Sequence, residues 1–145
     1  MYTELHLTAM LSADTPTDVI DTIKRMTGQS NDPIRKPDHA LFQIPGWDSM
    51  LQSDSALFAG ITYSRIEQRN ASGRYALSVH CNFRTEEKLP AFLEWIWQYI
   101  DSAPGRFIGY HRREGEADPT LIYVPKPEML EPSEALVEVD MAGYE

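Results

Sequence analysis

From Arg84 to Ile100 the chain reads Arg-Thr-Glu-Glu-Lys-Leu-Pro-Ala-Phe-Leu-Glu-Trp-Ile-Trp-Gln-Tyr-Ile, and this stretch sets the strongest condition on any fold. At about 100° per residue, Leu89, Phe92, Leu93, Ile96 and Ile100 form one apolar stripe, with Trp97 to one side and Trp95 and Tyr99 to the other. A helix with so wide an apolar arc needs a sheet under its stripe and a second layer over the Trp95 and Tyr99 flank. Its start has two readings. Thr85 is a candidate N-cap with Glu86 and Glu87 in the first turn; but Pro90 then removes an early hydrogen bond, so either the first turn is distorted or the regular helix begins nearer Leu89. The turn cluster from Asp101 to Gly105 ends it.

The sheet is legible on both sides of this helix. Tyr75, Leu77, Val79, Cys81 and Phe83 alternate with Ala76, Ser78, His80, Asn82 and Arg84, the period of a half-buried strand. Residues 3–11 alternate likewise, with Leu5, Leu7, Ala9 and Leu11 opposite Glu4, His6, Thr8 and Met10. A second helix follows, with Thr15 as expected N-cap, Pro16 at its first position and Asp18 completing a capping-box variant. Val19, Ile20, Ile23 and Met26 are its buried stripe, and Gly28 its stop. Residues 57–69 read as an edge strand and Asn70 to Gly73 as a hairpin turn. Residues 107–113 and 119–124 form a second hairpin.

Strand, short link and helix thus occur at 4–27 and again at 75–100. The expected architecture is α+β, a ferredoxin-like βαββαβ sandwich with an extra C-terminal strand: an antiparallel sheet, two helices on one face, and the strands at 4–11 and 75–84 central and adjacent. An α+β sheet with another strand order is the alternative, since local patterning does not fix pairing. Residues 1–124 make one domain; residues 125–145, with six acids against one lysine, make an acidic, proline-containing tail expected to dock on the body or on a partner subunit.

The connection at 29–56 is too apolar for a free loop, because it holds Leu41, Phe42, Ile44, Trp47, Met50 and Leu51. A helical turn near Trp47 to Leu51 is expected to pack on the body and to cover Trp95 and Tyr99. If a second subunit or another protein covers them instead, Trp95, Tyr99 and Trp47 are the binding residues, since an uncovered flank would leave an apolar patch of roughly a few hundred Å².

At Phe92-Leu93-Glu94-Trp95-Ile96, Phe107-Ile108-Gly109-Tyr110 and Pro119-Thr120-Leu121-Ile122-Tyr123, the chain resembles a group of small uncharacterised proteins encoded in bacterial and phage genomes. The resemblance implies an accessory protein of bacteria or their mobile elements and supplies no catalytic residue.

Composition narrows the function classes. A net charge of -9, of which the tail carries -5, disfavours nucleic-acid phosphates and anionic membranes as partners. The lone Cys81 excludes an internal disulfide and, with no basic leader and no long apolar run, points to the cytoplasm. No phosphate loop, dinucleotide fingerprint or nucleophile elbow is present. A thiol nucleophile at Cys81 with His80 as base is opposed by strand geometry, which points neighbours to opposite faces. Arg65, Arg69, Arg74, Arg112 and Arg113 read as solvated edge and hairpin charge.

Two functional readings follow. The first is a non-enzymatic binding or accessory module, homo-oligomeric or bound to another protein, with no cofactor. The second is a metal-dependent enzyme or metal-binding protein using His6, His80 and Glu4, which fall on one face of two adjacent strands beside Ser78 and Asn82. On sequence alone the first is favoured, because polar residues belong on the open face of an antiparallel sheet.

Overall fold

The computed structural model describes residues 2–53, 62–84 and 87–126. Five strands form the frame: β1 (Thr3–Leu11), β2 (Tyr63–Gln68), β3 (Tyr75–Phe83), β4 (Phe107–Arg113) and β5 (Thr120–Tyr123). Helix α1 (Thr17–Thr27) follows β1, and α2 (Lys88–Ile96) links β3 to β4. The sheet order is β2-β3-β1-β4-β5, with every neighbouring pair antiparallel. The two alternating strands are therefore neighbours, with Leu5 opposite Cys81 and His6 opposite His80.

Alternation decides what is buried. Leu5, Leu7 and Leu11 of β1 and Leu77, Val79, Cys81 and Phe83 of β3 join one core with Ile20, Ile23 and Met26 of α1 and Phe92, Trp95 and Ile96 of α2. Helix α1 ends as its glycine demands. Gly28 adopts φ 83°, and the Gly28 and Gln29 amides turn back to the Arg25 and Lys24 carbonyls. Its start differs from expectation. The helix begins at Thr17, Pro16 holds the cap position, and no side chain caps it; the Thr15 hydroxyl donates instead to the Ser12 carbonyl at 2.6 Å, so the capping box does not form.

Helix α2 takes the later of its two starts. From Lys88, Pro90 is the third helical residue, where a missing amide proton has no carbonyl to meet. The Thr85 cap lies outside the described residues. The far end is shorter than the apolar stripe implied: Trp97–Tyr99 tighten into a 3₁₀ turn, and Ile100 leaves the helix to bridge Leu11. The Ser12 amide donates to the Tyr99 carbonyl and the Asp101 amide to the Met10 carbonyl, so backbone pairing with the end of β1 outcompetes one more helical turn.

The long connection folds into two 3₁₀ turns, Ala40–Gln43 and Trp47–Gln52, whose Leu41, Phe42, Met50 and Leu51 are buried. His39 anchors the first. Its Nδ1 accepts from the Leu41 amide at 3.0 Å while its Nε2 lies 3.3 Å from the Glu94 carboxylate on α2. Gln29 closes an open edge, since its amide group donates to the Ile66 carbonyl and accepts from the Ile66 amide on β2. Residues 57–61 of the expected edge strand and the tail beyond Lys126 lie outside the described residues. Among those residues, no helix is long and apolar enough to cross a membrane.

Candidate ligand site on the open sheet face

Cross-strand partners share a face of the sheet, so the register lays out the surface opposite the core. One row runs Tyr63, His80, His6, Tyr110 and Leu121 across all five strands, and the next carries Asn82, Glu4 and Arg112. Glu4 is the centre of the second row. Its side chain is only 10% exposed; Oε2 lies 2.9 Å from His6 Nε2, and Arg112 Nε donates to Oε1 at 3.2 Å. A carboxylate so far out of water is stable only when paired, and both its oxygens have cationic or donor partners.

The imidazoles are ordered by stacking. His6 lies between His80, with ring centroids 3.7 Å apart, and Tyr110 at 4.4 Å and nearly parallel. Burial, helped by the charge of His6 and opposed by Glu4, pushes the His80 pKa down, which favours a neutral ring with a free nitrogen lone pair. Burial and the Glu4 charge push the Tyr110 hydroxyl up. The candidate ligand atoms of Glu4, His6 and His80 all lie within 4.8 Å of one another. Beside them the Asn82 Oδ1 is buried and finds no hydrogen-bond partner among the described residues.

A concavity of about 480 Å³ opens next to this cluster, with His6, His80 and Tyr110 on its floor and Tyr63, Arg106 and Phe107 around it. Phe107 reaches the open face through an irregularity in β4. The β4–β5 register shifts between Phe107 and Gly109, which buries Ile108 in the core and sets the Phe107 ring 5.8 Å from that of Tyr123. Gly109 is required where β4 passes β1: a Cβ there would stand 2.0 Å from the His6 carbonyl oxygen.

The structure thus brings Glu4, His6 and His80 together as the strand pairing implied, and it adds Tyr110 and Arg112, which the sequence reading did not place. Their signal was weak because Gly109 and the bulge blur the alternation of β4, while the partner strand β1 is about a hundred residues away in the chain. Trp95 is enclosed. The Phe42 ring meets it edge-on at 5.0 Å, and Trp47 meets Phe42 at 4.7 Å, so the connection is the second layer over α2. Trp95 is 2% exposed and has no surface to offer a partner, whereas Trp47 and Tyr99 are half-buried at its margin. Cys81 points into the core, where burial pushes its thiol up to about 12. Among these arginines Arg65 pairs with Glu67, Arg74 with Asp101 and Arg112 with Glu4.

Fold and site together define a small α+β protein with one polar and aromatic open face on a five-stranded antiparallel sheet. Comparison with known proteins gives no matching family model, no matching curated protein and no matching solved structure.

Proposed function

We propose that this chain is a non-enzymatic binding or accessory protein of the cytoplasm, of phage or mobile-element origin, that acts through protein contacts on its open sheet face, and that the partner this face fits is a second copy. One observation carries the reading. The exposed large hydrophobic residues among those described are Tyr63, Phe107, Leu121 and Tyr123, at 57%, 52%, 49% and 50%, and the register puts all four on that face. Aromatic groups concentrated on one open surface are the composition of a contact site.

Shape supports self-association. Phe107, Leu121 and Tyr123 are exposed at and beside the concavity lined by His6 and His80, and a two-fold axis would set these side chains of each copy against the other copy's concavity. Five strands spaced about 4.8 Å apart, each about seven residues long at about 3.4 Å, give a face of roughly 24 by 24 Å. That extent is comparable to the ~800 Å² of accessible surface each side of a standard interface contributes. The architecture proposed with it is the ferredoxin-like βαββαβ arrangement, with β5 added beside β4.

Analytical ultracentrifugation tests the reading. Wild-type protein is expected to dimerise as concentration rises, and Phe107→Glu and Tyr123→Glu, both changes at exposed positions, are expected to remain monomeric with unchanged circular dichroism. A wild-type chain that is monomeric at several hundred micromolar, or glutamate variants that dimerise as it does, overturns the proposal.

A further inference from the structure

We propose that Glu4, His6 and His80, with the Asn82 amide oxygen beside them, bind one divalent transition-metal ion of the zinc or nickel type. The inference is independent of self-association.

It begins from two features that a merely solvated polar face does not have. Glu4 is 8% exposed and Asn82 5% exposed, although both stand on the face away from the core. Glu4 has partners for its oxygens, but Asn82 Oδ1 finds no donor among the described residues, and a buried carbonyl oxygen without one is costly. The two residues are cross-strand partners. A cation placed among them would give the amide oxygen a partner and take one nitrogen lone pair from each imidazole.

The donor set selects the ion. Two imidazoles and a carboxylate are the mixed nitrogen and oxygen ligands that suit zinc and nickel, whereas calcium takes six to eight oxygens and magnesium keeps most of its waters. Distances are near what such an ion requires. With bonds of about 2.0–2.1 Å, neighbouring ligand atoms of a tetrahedral site stand roughly 3.4 Å apart. His6 Nε2 and Glu4 Oε2 stand 2.9 Å apart, and an ion between them widens that gap slightly. The ligand atoms of all three residues lie within 4.8 Å of one another, and the partly buried His80 side chain has room to adjust toward an ion. Arg112 on Oε1 and the Tyr110 ring against His6 hold two of the three ligands in place, the supporting role that outer partners play in metal sites.

The test is calorimetric titration of chelator-treated protein, carrying no polyhistidine tag, with zinc chloride at pH 7.5. One ion per chain is expected, with a melting temperature that rises with zinc concentration. His80→Ala and Glu4→Gln should each weaken binding at least tenfold, while His39→Gln, remote from the cluster, leaves it unchanged. His80 is partly exposed, so its variant reports even where Glu4→Gln proves unstable. Tyr123→Glu, outside the concavity lined by His6 and His80, is expected to bind zinc as wild type does, which separates this site from the association surface. Absence of saturable one-to-one binding, retention of full affinity in His80→Ala, or its loss in His39→Gln overturns the proposal.

Discussion

Replacing Trp95 by alanine measures how the wide arc of α2 is satisfied. A buried aromatic removes about 150–250 Å² from water, worth about 4–6 kcal/mol at ~25 cal/mol per Å². Alanine retains part of that, which places tryptophan truncations at about 3–5 kcal/mol. The 2% exposure of Trp95 and its edge contacts with Phe42 at 5.0 Å and Tyr99 at 6.0 Å put this site toward the upper half of the range. For a chain of 145 residues, about 3 °C per kcal/mol converts the loss into a melting temperature lower by roughly 10–15 °C. Urea denaturation followed by fluorescence is the assay, since Trp47 and Trp97 remain as probes. Trp95 packs within its own chain, so the dissociation constant of any dimer should not change. A loss below about 1 kcal/mol, or a change in oligomeric state with stability intact, would refute the argument that the connection completes the core over α2.

Gly109→Ala should cost stability at the upper end of the ~1–3 kcal/mol typical of overpacking, because its Cβ would meet backbone of β1 and not a yielding side chain; the accompanying loss of backbone-amide exchange protection in β4 checks that the strand has moved. His111 supplies a pH dependence: burial, with the Arg113 charge and against that of Glu116, lowers its pKa, and its buried Nδ1 has no hydrogen-bond partner among the described residues. Between that lowered value and 6.5 the unfolded chain binds more protons than the folded one, so unfolding free energy should fall as pH drops below 6.5, and His111→Leu should flatten this slope. Denaturation at pH 7.5, 6.5 and 5.5 would read it, and an equal slope in both proteins would remove His111 as the cause.

What was legible in the sequence was whatever a single strand or helix reports on its own. The alternation of β1 and β3 located the core face and, once the two were paired, put His6 beside His80 with Glu4 nearby. Gly28 ended α1 where it stands in the sequence. What escaped depended on partners distant in the chain. Ile100 fits the helical stripe yet pairs with Leu11, because the β1 backbone has open groups there that no local pattern announces. Tyr110 and Arg112 join the site only through the β1–β4 register, and Phe107 faces outward only because of the irregularity next to Gly109.

That irregularity has an evolutionary side. Ile108 is the extra residue of β4, and its side chain goes to the core. Strike it from the chain, and Gly109 would follow directly on Phe107, with Phe107 still alternating onto the same side as Tyr110 and still opposite Tyr123. The outward lettering of the strand therefore reads as though Ile108 had been spliced in later, a one-codon insertion that fills the interior and leaves the exposed surface unaltered. A lineage could gain or lose that codon to tune stability without rewriting what the sheet presents to its surroundings.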